Sequence, residues 1–295
     1  MKRRTLETEK GKVAYWVSDP WEEGRRTLFF LHGLTADHTM FAFQEEYFSS
    51  FYNLILWDAP GHGKSRPYED YSFGEAAEAI KGVLDQMGVG KVVFLGQSMG
   101  GFFVQAFLFR YPDRGEAFVS IDSCPYGDYY SRFDKWILRQ MEWMSMLYPE
   151  RLLKEAMAKQ VALYEAGRQN MKKMLSPYGK KELCHLMGMI YKAFLEDNQK
   201  LTASVGSVSD SVASSGSVSS GSASFGTASA FSLRCPVLLL CGEKDVTGKV
   251  KSYNKAWEKR TGYPLLWIKG AAHNSNMDAP EVVNKAIHDF LLGLG

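Results

Sequence analysis

Residues 91–108, KVVFLGQSMGGFFVQAFL, decide how the rest of the chain is read. Lys91–Leu95 is a short β-branched and aromatic run suited to a buried strand, and Phe102–Leu108 has the apolar density of a buried helix. Between them stands Gly96-Gln97-Ser98-Met99-Gly100, a G-x-S-x-G sequence at a strand-to-helix turn. A serine on such a bend is lifted clear of the sheet and placed beside a helix N-terminus. Glycines two residues either side let the crossing strand and helix approach, and Gly101 lets the helix sit close.

The same alternation continues outward on both sides. Upstream, residues 5–18 read as a hairpin with its turn at Glu9–Lys12. Thr27–Leu31 and Asn53–Trp57 are continuous apolar runs of the kind found in central parallel strands. Each delivers a Gly-punctuated loop, His32-Gly33 and Asp58–Ser65, to one edge of the sheet. Ser72 and Glu75 form a capping box, and Ala76, Ile80, Val83, Leu84 and Met87 mark one helix face behind it. Downstream, Glu116–Ile121, Pro236–Leu240 and Pro264–Lys269 read as strands, with a helix around 248–261. A last helix is expected to open on a second capping box, Asp278 with Glu281, around Pro280, and to bury Val282, Val283, Ala286, Ile287, Phe290 and Leu291. Strands alternating with helices imply an α/β fold with a doubly wound, mostly parallel sheet.

The alternation stops after Ile121 for some seventy residues. Across 128–200 apolar residues recur at helical spacing, as in Phe133, Trp136, Ile137, Met141 and Met144, and later Leu183, Leu186, Met187, Ile190 and Phe194. This predicts an inserted helical lobe or cap, between core segments 1–127 and 232–295. Eight of the thirteen methionines fall in it, and flexible thioethers suit an adaptable apolar pocket, although at least half should be plain helix packing. Residues 201–231 differ: from 203 onward they are almost entirely Ser, Gly, Ala and Val, with Asp210 the one charge. Whether natural low complexity or an engineered join, this is linker composition.

Composition excludes other classes of partner. A net charge of +2 without a long basic run gives no footprint for nucleic acid or an anionic membrane. The N-terminus MKRRTLETEK has no apolar run behind its basic residues, and no stretch approaches the ~18 apolar residues of a membrane helix, so a cytoplasmic protein is expected. Cys124, Cys184, Cys235 and Cys241 lack C-x-x-C pairing or His at metal spacing, which favours buried reduced thiols and neither a metal nor a cofactor.

A serine hydroxyl needs a base within hydrogen-bond reach and a carboxylate to hold that base's tautomer. His273, in Gly270–Asn274 just after the last strand, is the candidate base; Asp245, following Val237–Leu240 through Cys241–Lys244, is the candidate acid. Ser98, Asp245, His273 is the chain order expected of a serine on this elbow. Asp122 and then Asp58 compete for the acid role, since both stand at strand ends. Glu243 reads as a turn residue, His32 and His62 as loop braces, His288 as a surface residue, His185 as part of the lobe and His38 as a candidate for the entrance. An oxyanion would be met by the N–H groups of Met99 and of Leu34, the latter in the loop leaving an adjacent strand.

Taken together, LHGLT, DAPGHGKS, GQSMGG, CGEKD and AAHN resemble the α/β-hydrolase fold family, in its lid-bearing serine branch. The resemblance spans residues 1–127 and 232–295 and implies a catalytic Ser98, Asp245 and His273, oxyanion donors at Leu34 and Met99, and a helical cap at 128–200 forming the substrate pocket. The low-complexity tract departs from the family pattern. The function implied is a serine hydrolase cleaving carboxylic esters of small to medium apolar acyl groups, with water as second substrate. A C–C bond hydrolase or a lyase with the same triad is the alternative, and a ligand-binding protein with a vestigial triad a third.

Overall fold

The structure is a computed structural model and describes residues 1–214 and 232–294. The chain opens with β1 (Lys2–Thr8) and β2 (Gly11–Val17), followed by β3 (Thr27–Leu31), α1 (Ala42–Phe48), β4 (Asn53–Trp57), α2 (Phe73–Gln86), β5 (Val92–Gln97), α3 (Met99–Arg110) and β6 (Gly115–Ile121). Five helices are then inserted: α4 (Arg132–Arg139), α5 (Met141–Met146), α6 (Glu150–Val161), α7 (Glu165–Leu175) and α8 (Lys180–Ser214). Alternation resumes with β7 (Val237–Gly242), α9 (Val250–Thr261), β8 (Leu265–Ile268), α10 (Ser275–Asp278) and α11 (Pro280–Leu292).

Among the described residues the strands form one eight-stranded sheet in the order β1-β2-β4-β3-β5-β6-β7-β8. Pairing is antiparallel from β1 through β2 to β4 and parallel from there on. Every residue of β3, β4, β5 and β7 is buried, which is why these strands read as unbroken apolar runs: helices cover both faces. The serine-bearing β5 lies centrally, in parallel register with β3 on one side and β6 on the other. Behind it Phe29, Trp57, Phe94, Phe103 and Phe107 fill the core with fully buried rings.

Several expectations need adjustment. The first hairpin is longer than 5–18, because Lys2 already pairs with Val17, and its turn shortens to Glu9-Lys10 because Gly11 pairs with Thr8. The Ser72–Glu75 capping box is present. The second is not: Ala279 occupies the N-cap of α11 without a side-chain bond. Asp278 ends α10 instead, and its carboxylate accepts the N–H groups of Leu163 and Ala272, so it is already committed. Along α11, Val283, Ile287 and Leu291 are buried, Ala286 and Phe290 are half-buried, and Val282 faces solvent.

In the inserted region Leu183, Leu186, Met187, Ile190 and Phe194 of α8 are buried as the spacing suggested, whereas Phe133 and Trp136 of α4 stand in solvent. Helix α8 is continuous to Ser214, past the expected edge at residue 200, so the start of the Ser-rich tract is helical; residues 215–231 of that tract lie outside the described residues. The helix is fastened to the core near its middle. Arg110 donates to Asp197 at 2.5 Å, the Tyr126 hydroxyl donates to the same carboxylate at 3.1 Å, and Asn198 exchanges two bonds with the Gly127 backbone. The four cysteines are free and buried, and no described helix is long and apolar enough to cross a membrane.

Candidate active site

Ser98 sits between β5 and α3 at φ 49° and ψ −115°, a left-handed conformation that costs a non-glycine residue roughly 1–3 kcal/mol. The surroundings enforce it. A Cβ on Gly96 would lie 2.7 Å from backbone atoms of Gly100 and Gly101, and one on Gly100 would lie 1.9 Å from the Leu31 carbonyl oxygen. Only glycines let strand and helix cross this closely. The serine backbone is held by its N–H donating to Ile121 O at 2.9 Å and by the Ser123 hydroxyl donating to its carbonyl at 2.7 Å.

Parallel pairing places the loops after β5, β7 and β8 at one edge of the sheet, and there three side chains join. The Ser98 hydroxyl donates to His273 Nε2 at 2.9 Å, and His273 Nδ1–H donates to Asp245 Oδ2 at 2.8 Å. The other Asp245 oxygen accepts the Thr247 N–H at 2.7 Å, so the acid cannot swing away without losing an amide bond. Burial by itself would lower the His273 pKa, but the adjacent Asp245 carboxylate overrides it by charge and hydrogen bond, Asp122 adds to the effect, and the imidazole is raised above its ordinary 6.5.

Asp122, the runner-up for the acid role, is not bonded to the imidazole. It stands at φ 48° at the end of β6, fully buried, and its two oxygens accept the N–H groups of Gly242 at 2.6 Å and Ser275 at 2.9 Å. It thereby ties the loop that carries Asp245 to the one that carries His273. Asp58 lies elsewhere, accepting from the His38 backbone and ring and from Lys64 N–H. His38 stacks on Trp16 with ring centroids 3.4 Å apart, so it braces that loop and is absent from the cavity wall. His32 does brace its loop: Nε2 accepts the Ala59 N–H and Nδ1–H donates to Gly33 O, with burial lowering its pKa. His288 is half-buried among Tyr47, Phe48, Phe51 and Tyr52 instead of lying on the surface. His185, on α8, bonds Asp70 of the core.

Sequence reasoning assigned Gln97 no role. It is a buried amide at the end of an otherwise apolar strand, and it donates to the His273 carbonyl at 2.9 Å and to Asn274 Oδ1 at 3.3 Å, pinning the loop that carries His273. A polar side chain that follows five residues of buried strand and precedes the serine was the available signal.

The Ser98 hydroxyl opens into a cavity of about 120 Å³ walled by Gly33, Leu34, Thr35 and His273 from the core and by Met141, Met157, Val161, Met171, Met187 and Tyr191 from the inserted helices. Leu34 is thus in the wall facing the serine. Met99 is the first residue of α3, where a backbone N–H has no intrahelical acceptor. A larger cleft between core and inserted helices is lined by Lys10, Glu75, Arg139, Glu142, His185 and Lys192, and its serine, Ser72, is spent on capping α2. Two clusters among the described residues gather three ligand-type side chains, Asp37–His38–Asp58 and Asp122–Cys241–Asp245. In both the carboxylates already accept backbone and imidazole donors, so neither offers a cation a free set of oxygens.

The chain belongs to the alpha/beta hydrolase fold family, whose model matches residues 26–280. Among solved structures it is similar to an esterase from Thermogutta terrifontis, with 20% identity, TM-score 0.74 and coverage of 100% of this chain and 99% of that one. It is similar also to a carboxylesterase from Bacillus subtilis, at 20% identity and TM-score 0.70 over 99% and 92% of the two chains. An enol-lactonase from Burkholderia xenovorans LB400 matches at 16% identity and TM-score 0.74 over 98% and 100%. At these identities the likeness is one of fold.

Proposed function

We propose that the protein is a serine hydrolase that cleaves carboxylic esters of small to medium apolar acyl groups through an acyl-enzyme. The observation that carries this reading is the unbroken Ser98–His273–Asp245 hydrogen-bond chain with its hydroxyl at the mouth of an apolar, methionine-lined cavity. Ser98 attacks the acyl carbonyl while His273 takes its proton and then returns it to the departing alcohol; Asp245 holds the ring and balances its transient charge. The N–H groups of Leu34 and Met99 receive the oxyanion, each donor being worth about 3 kcal/mol in comparable sites. Water, deprotonated by His273, then releases the acid. The cavity walls supply dispersion contacts and flexible thioethers, suiting a hydrocarbon acyl chain better than a charged one.

The test is a panel of p-nitrophenyl esters from acetyl to octanoyl, run on the wild-type protein and on Ser98→Ala. Turnover that falls by about six orders of magnitude in the variant supports the reading. Equal rates in the two proteins contradict it, and release of a product by C–C cleavage with no ester turnover would transfer the same three residues to the alternative chemistry.

A further inference from the structure

The helices that wall the cavity turn an unusual outer surface to solvent. Along α4, α5 and the C-cap of α5, Phe133, Trp136, Trp143 and Leu147 are 65%, 53%, 63% and 65% exposed. Phe133 and Trp136, three residues apart, share one side of α4, and Trp143 and Leu147, four apart, share one side of α5 and its C-cap. Phe133 and Trp136 stack on one another with centroids 6.0 Å apart. The other side of α5 is the inward one: Ser145 is buried and Met141 lines the cavity. Isolated apolar residues on a surface are ordinary, but a row of four large ones is not.

Charge on this stretch is also asymmetric. Each acid is matched by a base, Asp134 with Lys249 at 2.7 Å, Glu142 with His185 at 3.4 Å and Glu150 with Lys154 at 2.7 Å. Arg132, Arg139 and Arg151 are exposed and, among the described residues, form no ion pair. By helical spacing within α4, Arg132 and Arg139, seven residues apart, lie beside Phe133 and Trp136, and Arg139 also reaches the rim of the larger cleft. Large aromatics with unmatched arginines along their border are what an interfacial helix offers to anionic headgroups: rings enter the acyl boundary while guanidinium groups meet phosphate. The whole-chain charge of +2 hides this, because it averages a local cationic row over the remaining surface.

We infer that the α4–α5 face docks on an anionic phospholipid surface through Phe133, Trp136, Trp143 and Leu147, with Arg132 and Arg139 contacting headgroups. Docking there sets the helix that carries Met141, one wall residue of the cavity, against the phase in which apolar esters accumulate. The inference does not rest on the hydrolase reading, since binding is measured without turnover.

The experiment is co-sedimentation of the full chain with phosphatidylcholine vesicles with and without phosphatidylglycerol. Binding to the anionic vesicles, weakened by salt and accompanied by a blue shift of tryptophan emission, is expected. A Phe133→Ser/Trp136→Ser/Trp143→Ser variant should lose at least about tenfold in partitioning, given the aromatic area withdrawn from the interface. Arg132→Glu/Arg139→Glu, whose side chains fill no core, should bind anionic vesicles as weakly as neutral ones and keeps the test decidable if the triple variant melts early. No binding to anionic vesicles, equal binding to both compositions, variants that bind like wild type, or a solution dimer that buries the tryptophans would each overturn the inference.

Discussion

Asp122 and Asp245 hold carboxylate oxygens within 4.8 Å of each other, both withdrawn from solvent. One of them bonds the imidazole and the other clamps two backbone amides, so two carboxyl groups are kept close by different partners. Burial, opposed by His273 and the amide donors and reinforced by Asp245, pushes the Asp122 pKa up to about 7 from an ordinary 3.8. The native state then holds a proton that the unfolded state releases, so this group's contribution to stability is present below about pH 4 and is lost as pH rises through 7. Asp122→Asn removes that slope while leaving one amide donor facing an NH₂ group, at a cost of about 1–3 kcal/mol. Urea unfolding at several pH values is expected to show the gap between wild type and variant narrowing from pH 4 to 7; parallel curves would remove Asp122 from the account.

Asp245 raises the His273 pKa, and the proposed mechanism uses His273 as a base in its neutral form, so kcat/KM should climb with pH through a midpoint above 6.5. Asp245→Asn should cut kcat/KM by about 10³–10⁴ and move the surviving acid limb to lower pH, because the carboxylate that stabilised the imidazolium is gone. A variant with an unmoved limb would place the controlling charge elsewhere.

Met187 lies in α8 on the cavity wall and is almost fully buried. Met187→Ala enlarges the cavity, so the preferred acyl chain should lengthen, each additional methylene that finds room being worth about 0.8 kcal/mol, or roughly fourfold in kcat/KM. The ester panel measures this directly. An unchanged chain-length optimum would mean that the acyl group lies against other residues.

Much of this architecture is legible in the sequence because the physics is local. β3, β4, β5 and β7 are buried on both faces and therefore read as continuous apolar runs, and the crowding at Gly96 and Gly100 leaves a glycine-flanked serine visible without coordinates. The meeting of Ser98, Asp245 and His273 follows from parallel pairing, which delivers successive loops to one edge. What escaped depends on distant partners. Asp278 has the spacing of a cap yet serves Ala272 and Leu163, and Gln97 ends a strand by position but is a clamp on the histidine loop by contact. Phe133 and Trp136 fit a helix period, and a period specifies a face without specifying what covers it.

The central claim is that the Ser98 hydroxyl is an activated nucleophile, and a fluorophosphonate probe followed by peptide mapping measures this most directly. Stoichiometric labelling at Ser98, abolished in His273→Ala while that variant keeps its fold, is the result expected. A folded wild-type protein that takes up no probe, or takes it up equally without the imidazole, would contradict it.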